Sequence, residues 1–571
     1  MAISVAINKP FQSAKDFLKT ELLKQHFGLC KLKVGPLPSW RFKSFKTFEI
    51  LLEAADFHPI NAEQIREFYL GNFALGGRMV QAGGASPFSL HPPTLEFAEA
   101  LHDFSWLRDL RGAKTPLSAT FARAMVQEWL DSCNYKAGTT PWRPDIVARR
   151  LIACLSHCRM LVEGASGKFI KKFLKSLSFQ FRYLYISAKT MPENERKLQT
   201  YIGLCFAAIS LNIDEKKRQY IYKQLSNCLD KQIYPDGGHI SRNPTVLINL
   251  LFDLLSIRYS FNYMGQAAPI AIHNAIERMI PALRMFCHQD GSIARFNGVG
   301  AILPEKLSSI FALDEAQGEA FSYAPYSGYQ RLHAETTTII ADIGKAPPFY
   351  ASYNSGAGCL SFEMSSGKHS FIVNAGLDYF AKNEHKHLGR LSAAHSTATI
   401  SNSSACDFIS LDQKNNELVI NGNFNVSSEQ IKGPQQIGFI ASHDGYKKKC
   451  NLLHERKLTL TLDGNVIQGM DRFFTAGVKD ACLKGSDQIT LRFHLHPDIE
   501  LSYSPMGNIC LQAKQGDVWQ FSCSNIDAEI EDSIYFASLK GAQATKQIVL
   551  TFRPSLLTKI HWLFQRTYSA S

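Results

Sequence analysis

Three stretches of the chain gather side chains able to do chemistry. The first, YPDGGHISRNP (234–244), carries His239, Arg242 and Asn243 just before Pro244 opens a helix. An imidazole, a guanidinium and an amide then stand at a loop-to-helix junction, where backbone N–H groups already favour an anion. The second, HQDGSIARFNGVG (288–300), adds Arg295 and Asn297. The third, AAHSTATI (393–400), sets His395 among small residues at the start of a strand. The bland alternative for the first two is turn chemistry, since Asp, Asn and Gly are the ordinary turn and cap residues. For His395 it is a buried imidazole satisfied by the backbone.

Other polar residues carry less. His385/His387 and His494/His496 are HxH pairs. In a strand, i and i+2 share a face, so His494 and His496 are expected to point outward together as solvated residues. His395, Asp412, His443 and His454 would hold a metal only if the fold brought them together, because no HExxH spacing accompanies them. No metal ligand is assigned.

The elements that must position these residues change character along the chain. From about 94 to 287, apolar residues recur at i, i+3, i+4 and i+7. Helices are expected near 94–110, 117–132, 143–162, 168–188, 194–211, 214–229, 244–260 and 267–287. Their connectors are mostly short, which implies antiparallel helical hairpins. No repeat of fixed period appears, so a closed α/α toroid is expected rather than a regular solenoid. From Gly328 onward the period is two, with strands such as KLTLTLDG (457–464), QITLRFHLH (488–496) and KQIVLTFR (546–553). The Asp463-Gly464 and Asn421-Gly422 pairs mark expected hairpins. The expected organisation is an N-terminal arm and loop-rich segment (1–93), an (α/α) toroid helical domain (94–327) and a large antiparallel β-sandwich (328–571). Within the arm, a surface helix is expected near 11–27, an extended segment at 36–47 and loops at 68–90.

Composition narrows the class. Hydrophobic residues make up 45% and charged residues 20% of 571 residues, ordinary values for a globular protein, and the length asks for more than one core. The formal charge is +12, from 62 Lys and Arg against 50 Asp and Glu, which suits nucleic acid, an anionic membrane or an acidic polymer as partner, with scattered surface lysine as the bland alternative. No nucleic-acid-binding signature accompanies the charge. The 13 cysteines lack CxxC pairs or regular spacing, so free thiols are expected. No stretch approaches the roughly 20 apolar residues of a membrane span. The N-terminus, MAISVAINKPFQ, lacks the basic region and the long apolar run of a secretory signal.

The order of helical hairpins and then a long β-domain, with PDGGHISRNP, DGSIARFNGVG, SGYQRL (327–332), NAG (374–376), AAHSTATI, SHDGY (442–446) and RFHLHP (492–497), resembles the heparinase II/III-like polysaccharide lyases. The motifs cover residues 230–500; the N-terminal third matches in architecture. The resemblance implies a toroid packed on a sandwich, and β-elimination of an acidic, uronate-containing polysaccharide in the cleft between them. It implies catalytic roles for His239, His395 and Asn243, and substrate contacts for Arg242, Arg295 and Asn297. It also implies that the 234–244 loop faces residues 390–397 across that cleft. No cofactor is required; a structural zinc in the sandwich is an open alternative, as in some relatives. The periplasm or cell envelope is the implied location, with the cytoplasm as alternative. One departure stands out: relatives add a tyrosine downstream in the helical domain, and residues 293–297 contain none. A non-catalytic glycan-binding or cell-envelope protein that keeps the lyase fold is therefore the second expectation.

Overall fold

The computed structural model describes residues 47–569, apart from 134, 137, 315–317, 380–385, 413–416, 423, 476–486, 515 and 555–557. The elements expected before residue 47, and His385, lie outside the described residues.

Among the described residues, those of 1–232 with 250–276, and those of 233–249 with 277–571, pack as two compact units. This division follows packing rather than the change from helix to strand at 327/328. The loop carrying His239 and Asn243, and the loop carrying Asn297, thereby pack as part of the β-rich unit.

The first unit is helical. Among its helices are Pro116–Ser132, Pro144–Ser156, Gly167–Ser187, Glu195–Ser210 and Glu215–Gln232. Their starts follow from local sequence. Thr115 caps Pro116–Ser132 in a reciprocal capping box with proline in the first turn, and Ser166 and Asn194 cap the helices after them. Two expected helices are broken. Residues 94–110 divide into Leu95–His102 and Trp106–Gly112, because Phe104 takes a left-handed conformation (φ 61°). Residues 143–162 divide at His157, whose φ of −130° leaves the helical range. Residues 68–90, expected as loop, include a hairpin of Asn72–Leu75 and Arg78–Gln81 across Gly76-Gly77. Within this unit Trp129, Trp142 and Arg150 are buried together, the guanidinium 4.2 Å from the Trp129 ring centre.

The second unit holds two large antiparallel sheets. One runs in the order Glu529–Tyr535, Gln543–Phe552, Ile489–Leu495, His369–Val373, Phe362–Ser366, Thr337–Asp342, Tyr329–Ala334 and Tyr323–Ala324, with Ala398–Ile400 beside Ile489–Leu495. The other runs Val426–Lys432, Gln436–His443, Leu453–Thr461, Val466–Phe474, Lys559–Tyr568, Val518–Cys523, Ile509–Ala513 and Ile499–Tyr503. Their inner faces share one core: Phe362 and Phe493 of the first meet Trp562 of the second, with ring centres 5.6 and 4.9 Å apart. Asp463-Gly464 does turn a hairpin between paired strands. Asn421-Gly422 does not, because Glu417–Asn421 pairs back to Asp407–Asp412. His494 is buried rather than solvated, facing Ser533 Oγ at 2.8 Å and the Ala393 carbonyl at 3.0 Å. Among the described residues no helix is long and apolar enough to cross a membrane.

Candidate active site

The 234–244 loop is fixed from both ends. Asp236 accepts from the backbone N–H of Tyr326 and of Ser327, each at 2.8 Å, and from Gly238 N at 3.2 Å. Gly237 has φ +79°, and a Cβ there would stand 1.9 Å from the Arg278 carbonyl, so only glycine fits this approach. His239 is buried; its Nδ1 accepts from Ser241 N (3.1 Å) and faces Ser241 Oγ (2.8 Å). Burial pushes its pKa down to about 3, so the ring is neutral and organises the loop from inside.

Arg242 takes a left-handed conformation (φ 58°) and turns its guanidinium inward. It donates to the carbonyls of Ser327 (2.6 Å), Gly328 (2.9 Å) and Lys345 (2.9 Å), and to Asp342 Oδ1 (2.5 Å). Asp342 Oδ2 accepts from Asn297 Nδ2 (3.1 Å), which also donates to the Tyr329 hydroxyl (2.7 Å). That hydroxyl in turn donates to the Arg242 carbonyl (2.7 Å). One buried carboxylate thus ties both polar loops together. A second buried carboxylate anchors the 288–300 loop to the start of the 374–376 segment. Glu363 Oε1 accepts from Arg295 N and Asn374 N, each at 2.9 Å, while Oε2 faces His288 Nε2 (3.3 Å) and Arg295 Nη1 (3.6 Å). Burial alone would raise the Glu363 pKa, but His288 and Arg295 hold it below its ordinary value. Asn374 Oδ1 then accepts from Ser396 N, next to His395.

Asn243 is the cap of helix Pro244–Tyr263. Its Oδ1 accepts from Thr245 N at 2.9 Å, which orients the amide and leaves the NH2 without a hydrogen bond among the described residues. A Cβ placed on Gly298 would meet that Nδ2 at 3.0 Å and the Asn354 carbonyl oxygen at 2.6 Å. Tyr379, half-buried, donates its hydroxyl to the Gly298 carbonyl, and its ring lies against Gly300.

His395 stands on the other side of the 354–358 loop. Its Nδ1 donates to the Leu391 carbonyl (2.8 Å), which leaves the lone pair on Nε2. Burial holds its pKa below the ordinary range, so the imidazole is neutral. Gly356 and Gly358 have no side chains because this ring occupies the space: a Cβ on either would lie 2.9 Å or less from Nε2. Ser355 Oγ, between Asn354 and Gly356, donates to the Ser241 carbonyl at 3.3 Å. The loop from Asn354 to Gly356 spans at most about 7 Å between its end Cα atoms, so it brings the Asn243 amide and His395 to one locality.

Arg390 holds that loop. It is buried and donates to the carbonyls of Ser352 (3.0 Å), Ser355 (2.8 Å) and Leu418 (3.0 Å), with no ion pair among the described residues. Burial pushes its pKa down to about 9, so it remains a cation at neutral pH, close enough to Tyr379 to interact with the phenol.

The structure therefore gathers Asn243 and His395 with Tyr379, Asn354 and Arg390, which sequence reasoning missed. Tyr379 follows the NAG motif by three residues. Asp342 and Glu363 were also missed, although each is an acid inside an apolar strand run. His239, Arg242, Arg295 and Asn297 lie around this locality, each with hydrogen bonds to other parts of the protein.

The sandwich residues do not fit zinc. His454 Nε2 faces Asp471 Oδ1 at 2.6 Å, and Asp471 also accepts from Arg456 Nε (2.8 Å), Arg456 Nη2 (3.1 Å) and Trp562 Nε1 (2.7 Å). The guanidinium takes the place a cation would need. The Asp412 side chain lies outside the described ones, and no group of three or more His, Cys, Asp or Glu able to hold a metal occurs among the described residues.

Residues 316–563 match the family model described as heparinase II/III-like, C-terminal. A curated relative, FtsZ-localized protein C of Caulobacter vibrioides (strain NA1000 / CB15N), is 27% identical over 516 residues, 89% of this chain and 88% of the relative. The solved structure of heparinase III superposes with a TM-score of 0.71 at 12% identity, covering 100% of this chain and 94% of that one. A mutant heparan sulfate lyase, HepC, from Pedobacter heparinus gives 0.62 at 15% identity, covering 98% and 92%. Residues 316–563 are thus similar to heparinase II/III-like C-terminal domains, as their motifs led us to expect, and the fold is the α/α toroid plus β-sandwich of heparinase III.

Proposed function

We propose that this chain, with its heparinase II/III-like C-terminal domain, is a polysaccharide lyase that cleaves an acidic, uronate-containing glycan by β-elimination. The observation that carries the reading is the convergence of an amide, a phenol and a neutral imidazole about Gly298 and residues 354–358. β-Elimination makes three demands, and each has a candidate. The Asn243 NH2, at a helix N-terminus, donates to the uronate carboxylate and stabilises the charge that develops as C5 loses its proton. The Arg390 cation adds a field of the right sign. His395 Nε2 takes the C5 proton; the electron pair forms the C4–C5 double bond as the C4–O bond breaks. The Tyr379 hydroxyl gives its proton to the departing oxygen. No water adds, so the paired carboxylates of a glycosidase are not needed. His239, Arg242, Arg295 and Asn297 act in this reading by holding the loops.

Incubation with heparan sulfate, hyaluronan and alginate, followed by near-ultraviolet absorbance, tests it. The unsaturated product absorbs, and His395→Ala should abolish the gain. A screen with no absorbance and no new reducing ends would overturn the proposal.

A second reading has its own support. Residues 293–297 lack the tyrosine of related lyases, and the curated relative is named for a place rather than for a reaction. Under it, the chain is a non-catalytic glycan-binding or cell-envelope protein. Retention on an acidic polysaccharide without turnover, unchanged by His395→Ala, would favour it.

A further inference from the structure

The helical unit contains a pocket of about 450 Å³, lined only by residues of that unit. Its floor is the segment 52–60. Its walls are the end of helix Trp106–Gly112, the start of Cys158–Val162 and the end of Pro244–Tyr263. Four cations line it: Arg108, Arg111, Lys114 and Arg159. Two carboxylates, Glu53 and Asp56, oppose them, and both are engaged. Asp56 faces Arg108 Nε (2.6 Å), His58 Nδ1 (2.9 Å) and His157 Nε2 (3.2 Å), and its side chain is 3% exposed. Glu53 accepts from Arg159 N at 3.1 Å and lies 3.5 Å from Arg111 Nη2.

The cations are less engaged than the acids. Arg108 uses only Nε, so its terminal nitrogens have no hydrogen bond among the described residues. The Lys114 ammonium has no partner there either, and φ of 52° at this residue carries the chain off the helix end. Among the described residues the Arg159 guanidinium pairs with Glu163, at 3.6 Å, where both side chains are 71% exposed and the attraction is weak. At the rim, Tyr259 and Tyr263 are 53% and 71% exposed, one turn apart on a single helix. Phe57 steadies Tyr259 edge-on, with ring centres 5.3 Å apart.

We propose that this pocket binds a sugar unit bearing an oxyanion, a carboxylate or a phosphate or sulfate ester. The oxyanion meets Arg108, Lys114 and Arg159, and the pyranose CH face packs on the exposed tyrosine rings. The volume is in the range of small-molecule sites, and a concave cationic wall with an aromatic rim recognises both halves of such a ligand. This does not rest on the lyase reading, since none of these residues belongs to the site around Gly298.

Calorimetric titration of the full chain with glucuronate, glucose 6-phosphate, glucose and inorganic sulfate tests the proposal. Each titration is repeated on Asn243→Ala, to remove any contribution from the other site. An acidic sugar should bind in both backgrounds more tightly than glucose or sulfate. Lys114→Glu combined with Arg159→Glu should weaken it about tenfold. Tyr263→Ser, at a position where exposure protects the fold, should weaken it independently. Unchanged thermal midpoints would show that the variants are folded. Binding of glucose or of sulfate as tight as that of the acidic sugars, equal affinity in the variants, or no binding by any probe would overturn it.

Discussion

Replacing Asp342 by Asn tests the scaffold beneath the proposed site. The carboxylate is buried and accepts from Arg242 Nη2 (2.5 Å), Gly344 N (3.1 Å) and Asn297 Nδ2 (3.1 Å). Asn is nearly isosteric, so packing survives and the charge is removed. The Arg242 guanidinium is then a buried cation with only carbonyl partners. Breaking a buried pair from one side typically destabilises by about 3–5 kcal/mol. The amide NH2 also confronts a donor, from Arg242 or from Asn297, whichever way it turns. We expect the second unit to lose about 3–5 kcal/mol in urea unfolding, followed by fluorescence of Trp519 and Trp562. Arg242→Met combined with Asp342→Asn should recover part of this loss, because the unpaired charge is gone. Activity should fall further than stability explains, since Asn243 follows Arg242 directly in the chain. A loss below about 1 kcal/mol, or a double variant no better than the single, would refute the pairing as the anchor.

Three further outcomes follow from the same geometry. His395→Ala should lower kcat by about 10²–10⁴-fold with little change in thermal midpoint, and an equal fall in stability would make His395 structural instead. Tyr379→Phe keeps the ring against Gly300 and loses only the phenol, so kcat should fall while KM holds; unchanged kcat would remove Tyr379 from proton transfer. His239 is held neutral with a pKa of about 3, against about 6.5 when unfolded. Its contribution is complete above about pH 6.5 and is lost as pH falls toward 3, because the unfolded chain takes the proton first. His239→Gln should therefore flatten the acid-side loss of stability by up to ~1.4 kcal/mol per pH unit, and parallel profiles would refute the assignment.

What was legible in the sequence, and what was not, divides along physical lines. Periodicity located the helices and most strands, since it records which face is buried. It could not place the breaks at Phe104 and His157, where backbone conformation changes without Gly or Pro to mark it. Asn421-Gly422 carries the turn signal, yet Glu417–Asn421 finds its partner on its other side. Asn243 and His395 were legible as polar residues in motif-bearing loops. Arg390 was not, because its acceptors are carbonyls 28 to 38 residues away, and carbonyls leave no mark in a sequence. Tyr379 was overlooked because a tyrosine was sought among helices, whereas the phenol that meets the Gly298 carbonyl lies in a loop after the His369–Val373 strand.

The buried acids are the more instructive omission. Asp342 ends the run TTIIAD and Glu363 sits within FEMSS, each a charged residue where strand burial calls for an apolar one. An ion in such a place is tolerated only when partners surround it. Asp342 is met by Arg242 and Asn297, both non-glycine residues in the left-handed region, at φ 58° and 50°. Conformations of that kind cost on the order of 1–3 kcal/mol each and persist only where the surroundings over-determine them. Here one carboxylate supplies the over-determination for both, and the residues it bends flank Asn243 and Gly298. A loop serving only as a connection would relieve the strain with glycine at both positions. Keeping Arg and Asn there fixes the direction of the Asn243 amide, whose oxygen accepts from Thr245 N and whose NH2 has no hydrogen bond among the described residues. Strain, buried charge and unsatisfied donor all point at the same few ångströms of the second unit.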